Sequence, residues 1–250
     1  TGKKVLRSTL QLSLSKGQKL IIDVFDSYNL SLYQINTLEI VQDSRNRWYA
    51  CITVKDFPKQ ASGMGSVGID LGLKESATTS NGDKLTIKQT KKWANKLAVA
   101  QRAKNKKRVK AIHAKIKNTR LDLIHKFTTK LVKDNSLIVV GDVKSRSFTT
   151  KKTKLAKSTY DAGWFELKRQ LEYKCKHAGC QFEMVNESYT TQTCSCCHKI
   201  SDSSPKGRAG LRIRGWTCAE CGTWHDRDIN AAKNILAVGL DRLAVGIPSV

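Results

Sequence analysis

The chain has 250 residues, 40% of them hydrophobic and 26% charged, with only three prolines; this is a folded protein with one sizeable core and a small module, not a disordered chain. Its 45 Lys and Arg against 21 Asp and Glu leave a formal charge of +24, which repels itself unless a polyanion screens it and makes nucleic acid the first partner to consider. No apolar run nears the roughly 20 residues of a membrane span and no signal peptide precedes the first strand, so a cytoplasmic protein without a membrane partner is expected.

The missing initiator Met at Thr1 points to a fragment or a processed chain. Residues 3–55 carry short β-type runs, among them Lys19–Val24 and Arg47–Val54, and read as an all-β stretch. A small, polar, Gly-rich segment, 58–66, then reads as a linker. Val67–Leu73 has the pattern of a buried strand, and Asn81-Gly82 predicts a hairpin turn between Ser76–Ser80 and Lys84–Ile87.

From Lys84 to Arg120 there are 14 Lys and Arg and no acid, while Leu97, Ala100, Val109, Ile112 and Ile116 recur at near-helical spacing. Two basic helices over 88–132 are expected. A run of 37 residues without one acid is costly unless phosphates lie nearby, which marks Lys91, Lys92, Arg102, Lys106, Lys107, Arg108, Lys110, Lys117 and Arg120 as candidate nucleic-acid contacts. The alternative is a solvated helix face. Leu137–Val140 predicts a second buried strand ending at Gly141-Asp142, and 148–158 is another basic segment. Trp164 opens an amphipathic helix that Ala178-Gly179 stops. Residues 181–187 read as a third strand, and 229–236 as an Ala-rich helix with Asp228 near its start.

Five of the eight cysteines fall within 28 residues, where Cys194, Cys197, Cys218 and Cys221 form C-x₂-C-x₂₀-C-x₂-C. Two C-x₂-C knuckles supply the tetrahedral sulfur shell of one structural Zn²⁺, with no ligand position left open for catalysis. Cys196 and His198 stand close enough to the first knuckle to substitute. Asp70 ends an apolar strand, where a carboxylate is expensive to bury unless a cation shares the site. Asp228 at a helix start reads equally as a plain N-cap, and Asp70 as a turn residue bonded to nearby amides. Two such acids in a strongly basic chain are also what a Mg²⁺ phosphodiester site requires.

Val67-Gly-Ile-Asp-Leu-Gly-Leu73, Thr190-Thr-Gln-Thr-Cys194, Trp216-Thr-Cys-Ala-Glu-Cys-Gly222 and His225-Asp-Arg-Asp-Ile-Asn-Ala-Ala-Lys-Asn-Ile235 resemble the C-terminal half of TnpB (OrfB) proteins, transposon-encoded relatives of type V CRISPR effectors. The resemblance implies an α/β fold: an RNase H-like (RuvC) mixed five-stranded sheet with helices, an inserted zinc ribbon and the remnant of an N-terminal β-barrel. It implies the division 1–57 (barrel end), 66–192 (first nuclease part), 193–222 (zinc ribbon), 223–238 (last nuclease motif) and 239–250 (tail). It also implies a prokaryotic, cytoplasmic, nucleoid-associated DNA endonuclease that takes its target from a guide RNA and cuts with one or two Mg²⁺ held by three carboxylates. Asp70 and Asp228 match the first and third family acids. Where relatives carry the second, a Glu, this chain has Gly141. Glu187 is the expected substitute because it ends a core strand; Asp142 is the alternative, which strand alternation turns away from Asp70 unless a local bulge intervenes. Two further readings follow: a nuclease-inactive RNA-guided DNA binder or truncated remnant, favoured by Gly141, and a plain transposase.

Overall fold

The computed structural model describes residues 6–26, 28–55, 61–143, 155–210 and 212–245, and the chain divides into two units at Pro58. The first unit is built of β-strands, as its β-type runs predict, with a 3-10 turn at Leu30–Leu32. Strand β1 (Leu6–Ser15) pairs antiparallel with β2 (Gln18–Asp26), turning at Gly17 with φ 83°. Strand β3 (Gln34–Gln42) pairs antiparallel with β4 (Trp48–Lys55). Each pair is a separate two-stranded sheet among the described residues. Asp26, buried beneath the first ribbon's end, accepts bonds from the Ser8 hydroxyl and from the Tyr28 and Leu30 amides.

The second unit is built on one mixed sheet. Strands β5 (Gly65–Asp70), β6 (Ala77–Thr79), β7 (Lys84–Leu85), β8 (Asn135–Gly141) and β9 (Gln181–Val185) lie in the order β7-β6-β5-β8-β9. Strands β5, β8 and β9 are parallel, and β5-β6-β7 is an antiparallel meander. Its β6-β7 turn is the predicted Asn-Gly hairpin, with Gly82 at φ 91°. Parallel strands covered on both faces read as continuous apolar runs, which is why Ile138, Val139 and Val140 are all fully buried.

Alternation sorts the side chains onto two faces. Val67, Ile69, Ile138 and Val140 pack on one side with Ile124, Leu131, Leu167 and Leu171. These come from helix α2 (Lys106–Asp134) and from the helix at Trp164–Ala178, which follows a short α3 (Ala156–Ala162) and is α4. Leu137, Val139 and Val185 pack on the other side with Ile235. That residue belongs to α6 (Arg227–Ala244), the last helix, which follows the one-turn α5 (Gly207–Gly210). Glycines let α6 lie directly on the strands. A Cβ at Gly68 would strike the Ala232 carbonyl and stand 2.8 Å from the Leu236 amide nitrogen, and one at Gly239 would strike Val139. By the same parity Asp70, two residues after Gly68, projects on the α6 side.

Helix α1 (Gln89–Arg102) turns back at 103–105 into α2, whose N-terminus is capped by Asn105 accepting from the Arg108 amide. The hairpin is held by Trp93, Leu97, Ala100, Val109, Ile112 and Ile116, the spacing read from the sequence. Two expectations are adjusted. Strand β9 stops at Val185, so Glu187 lies just beyond it. Helix α6 runs to Ala244, so residues 239–244, expected as tail, are helical. The basic segment over 148–158 lies outside the described residues up to 154, as do the linker at 58–60 and the final residues 246–250.

Candidate active site and cysteine cluster

The ends of three elements converge on one cleft of about 490 Å³. Asp70 comes from the end of β5, Glu187 from the loop after β9, and Asp228 from the first turn of α6; all three line the cleft. Asp228 is not the helix cap. Asp226 takes that role, accepting from the amides of Asp228 and Ile229, and this leaves the Asp228 carboxylate to face the cleft. Asp228 is instead held by two guanidinium groups, Arg227 at 2.8 Å and Arg214 at 3.1 Å. Burial, and then the negative charges of Asp228 and Glu187, push the half-buried Asp70 carboxyl up from 3.8 to about 7, with Arg227 and Arg214 opposing. Burial also raises Glu187, with the Asp142 charge adding and Lys168 opposing.

Space around Gly141 bears on the second acid. A Cβ added at Gly141 would meet Ile235 Cδ1 at 3.0 Å and Glu187 Oε2 at 3.2 Å. The Glu187 carboxylate thus occupies the volume that a side chain at 141 would enter. Asp142 projects on the opposite face, where Lys168 of α4 pairs with it at 3.0 Å, and it does not line the cleft.

A pH-dependent stability follows. Because folding raises the Asp70 pKa, the native state holds that proton more tightly than the unfolded chain does. The associated stability is fully present below about pH 4 and is lost as pH rises through about 7. In Mg²⁺-free buffer at pH 8, Asp70→Asn should therefore unfold about 2–6 °C above the wild type, whereas at pH 4 the two should coincide. Equal midpoints at pH 8 would show that Asp70 is not crowded by the other acids.

The four cysteines meet beside this cleft. Their Sγ atoms all lie within 4.8 Å of one another, the one such group of three or more His, Cys, Asp or Glu among the described residues. The three cleft carboxylates stand wider apart than that. The two knuckles have matching hydrogen bonds: Cys194 N–H to Lys199 O and Cys218 N–H to Thr223 O, both at 2.9 Å. Each puts a left-handed residue after its second cysteine, His198 at φ 60° and Gly222 at φ 70°. Across the knuckles, Cys194–Cys221 and Cys197–Cys218 are each 3.7 Å apart. A tetrahedron of metal–sulfur bonds of about 2.3 Å has edges of about 3.8 Å, so this donor set fits a thiophilic divalent ion. Cys196 and His198 are exposed and lie outside the group. The knuckles are joined to α6 through β10 (Gly215–Thr217) and β11 (Trp224–Asp226), an antiparallel pair whose Trp216 is buried against Cys194 and Cys218.

Of the predicted nucleic-acid contacts, Lys91, Lys92, Arg102, Lys106, Lys107, Arg108, Lys110 and Lys117 are exposed on the α1-α2 hairpin. Arg120 is placed differently. Its guanidinium pairs at 2.7 Å with the buried Asp161, which also accepts from the Thr90 amide and hydroxyl. Sequence reasoning passed over Asp161, Asp226, Arg214 and Arg227. The HDRD run held two of them in plain view, since an Asp two residues before Asp228 is the better-placed cap.

Residues 49–152 match the family model described as probable transposase, OrfB of the IS605 type, and residues 164–235 match the Cas12f1-like TNB domain. A protein of Streptomyces pristinaespiralis described as "Putative RNA-guided DNA endonuclease" is 35% identical over 84% of this chain and 54% of its own length. Another so described, InsQ of Escherichia coli (strain K12), is 30% identical over 82% of this chain and 57% of its own. The chain thus spans about half the length of these relatives. The fold is similar to that of a solved Cas12f1–sgRNA–target DNA complex, with a TM-score of 0.50 and 17% identity over 88% of this chain and 59% of that one.

Proposed function

We propose, for a chain that belongs to the TnpB (OrfB) family, that the second unit is the RuvC-type nuclease part of an RNA-guided DNA endonuclease and that its acids are Asp70, Glu187 and Asp228. The observation that carries this reading is the convergence of those three carboxylates, from three separate elements, on one cleft in a chain of net charge +24. Bound there, one or two Mg²⁺ would supply an activated water and stabilise the leaving oxygen. Such an ion would favour the ionised Asp70 carboxylate, its proton passing to solvent, since a divalent charge outweighs the burial and repulsion that raise its pKa. Glu187 completes the set in place of a side chain at 141. Arg227 fixes the Asp228 carboxylate, and Arg214, on the cleft wall, carries positive charge where a phosphate would enter. In the cysteine cluster a single Zn²⁺ would be structural, because four protein sulfurs fill its shell.

The α1-α2 hairpin is the proposed phosphate-binding surface. Relatives named RNA-guided DNA endonucleases support guide RNA and DNA as the partners. The inactive-binder reading rests on Gly141 and separates from the nuclease reading in one experiment. DNA with guide RNA transcribed from the adjoining transposon end should be bound, and cut only when Mg²⁺ is present; binding without cutting would favour the inactive reading. In the same assay, neutralising Lys106, Lys107 and Arg108 together should lower the salt dependence of binding by about 0.7 to 0.9 in log–log slope per lost contact, with sequence preference kept. An unchanged slope would make the hairpin a solvated face.

A further inference from the structure

We infer that Asn230 and Asn234 are positioning residues that tie the cysteine cluster to the carboxylate cleft, so that the two metal sites are energetically coupled. The inference rests on the nuclease reading above. Both asparagines lie on the buried face of α6, at 1% and 6% exposure. Asparagine is a poor helix former, and a buried amide in a helix interior needs partners outside it. Here the partners belong to one segment. The Asn234 side-chain amide donates to the carbonyls of Thr190 and Thr193 at 2.8 and 2.7 Å, and the Asn230 amide donates to the same two at 3.3 and 2.8 Å. The Asn230 Oδ1 accepts the Ser195 amide at 2.9 Å, which fixes the orientation of that side chain.

The gripped segment joins the two sites. At its start, Thr190 donates through its amide and hydroxyl to the Glu187 carbonyl at 3.2 and 2.8 Å. At its end stands Cys194, the first knuckle ligand, followed by the bonded Ser195. Asp228 lies two residues before Asn230 on the same helix. One turn of α6 thereby sets Glu187, Asp228 and Cys194 in a common frame, through four side-chain bonds from the helix to the carbonyls of Thr190 and Thr193. Closing the knuckle on its ion holds the loop, and the loop holds the second acid. Such coupling is reciprocal, so a cation in the cleft must also strengthen the knuckle.

Asn→Asp substitutions keep the shape of these side chains but turn a donor into an acceptor facing two carbonyls. The experiment measures Mn²⁺ affinity by electron paramagnetic resonance on zinc-loaded protein: wild type, Asn230→Asp, Asn234→Asp and Asp70→Asn. The inference expects the asparagine variants to keep one zinc per chain and native circular dichroism, yet to bind Mn²⁺ about tenfold more weakly. It is overturned if they bind as tightly as the wild type. A second readout needs no variant: after a timed pulse of a thiol-reactive mercurial, wild type saturated with Mn²⁺ should retain more zinc than wild type without it. Equal retention would also overturn the coupling. If wild type and Asp70→Asn bind Mn²⁺ alike, there is no cleft site at all, and the nuclease reading falls together with this inference.

Discussion

A Glu187→Gln protein is expected to cut DNA at least about 10³-fold more slowly than wild type at saturating Mg²⁺, while Asp142→Asn stays within about threefold. The first figure corresponds to about 4 kcal/mol of transition-state stabilisation, the scale on which a divalent ion acts on a transferring phosphate. The contrast rests on position. Glu187 lines the cleft with Asp70 and Asp228 and adds to the charge that raises Asp70. Asp142 instead pairs with Lys168 on the face covered by α4. Removing the Asp142 charge should slightly ease ionisation of Glu187, because that charge is one of the causes holding Glu187 up. Glu187→Gln preserves volume and a hydrogen-bonding oxygen, so loss of cleavage with a melting temperature no lower than the wild type's separates metal ligation from folding. A rate within a few-fold of wild type would remove Glu187 from the proposed site.

Much of this arrangement was legible in the sequence, and the physical reasons are specific. Strand parity favoured Glu187 over Asp142 before any coordinates, because alternation along a strand has a period of two unless a bulge interrupts it. The four-cysteine spacing pointed to a closed tetrahedral cluster because ligand geometry constrains it directly. The α1-α2 hairpin followed from apolar periodicity within a basic run. Other features depend on contacts far apart in the chain. Gly68 reads as one small residue in a strand until α6 is laid across it, and the Ala232 carbonyl then explains why no side chain fits. Arg120 looked like its exposed basic neighbours; only the position of Asp161, 41 residues away, turns it inward. The helix start at 227 was blurred by two aspartates of similar propensity, and the cap went to Asp226, which Lys84 also holds at 3.1 Å. The asparagines of α6 belong to the His225–Ile235 motif, yet nothing local tells what they bond, since only the Thr190–Ser195 loop supplies their partners.

The largest stability effect belongs to the cysteine cluster. Cys218→Ser should release the bound zinc on dialysis and unfold residues 193–222, with α6 destabilised through Ser195 and Asn230. The module contributes little apolar core beyond Trp216 and the cysteines themselves. Structural zinc supplies about 10–16 kcal/mol of apparent folding free energy to small modules of this kind, comparable to a typical domain's whole net stability. Elemental analysis should find one zinc per wild-type chain and none in the variant. Limited proteolysis should then cut the variant within the module and spare the sheet core at Val67–Ile69 and Ile138–Val140. Zinc retained at one equivalent in Cys218→Ser would reject the ligand assignment.

The central claim is that Asp70, Glu187 and Asp228 together make one divalent-cation site, with Glu187 as the acid that Gly141 is not. Its most direct measurement is a Mn²⁺ titration, followed by electron paramagnetic resonance, of the wild type beside Glu187→Gln and Asp142→Asn. The account predicts saturable binding in the wild type, the same binding in Asp142→Asn, and loss of at least about tenfold in affinity in Glu187→Gln, since each lost carboxylate ligand removes a charged oxygen from the shell. Full binding by Glu187→Gln, or loss of binding by Asp142→Asn instead, would contradict it.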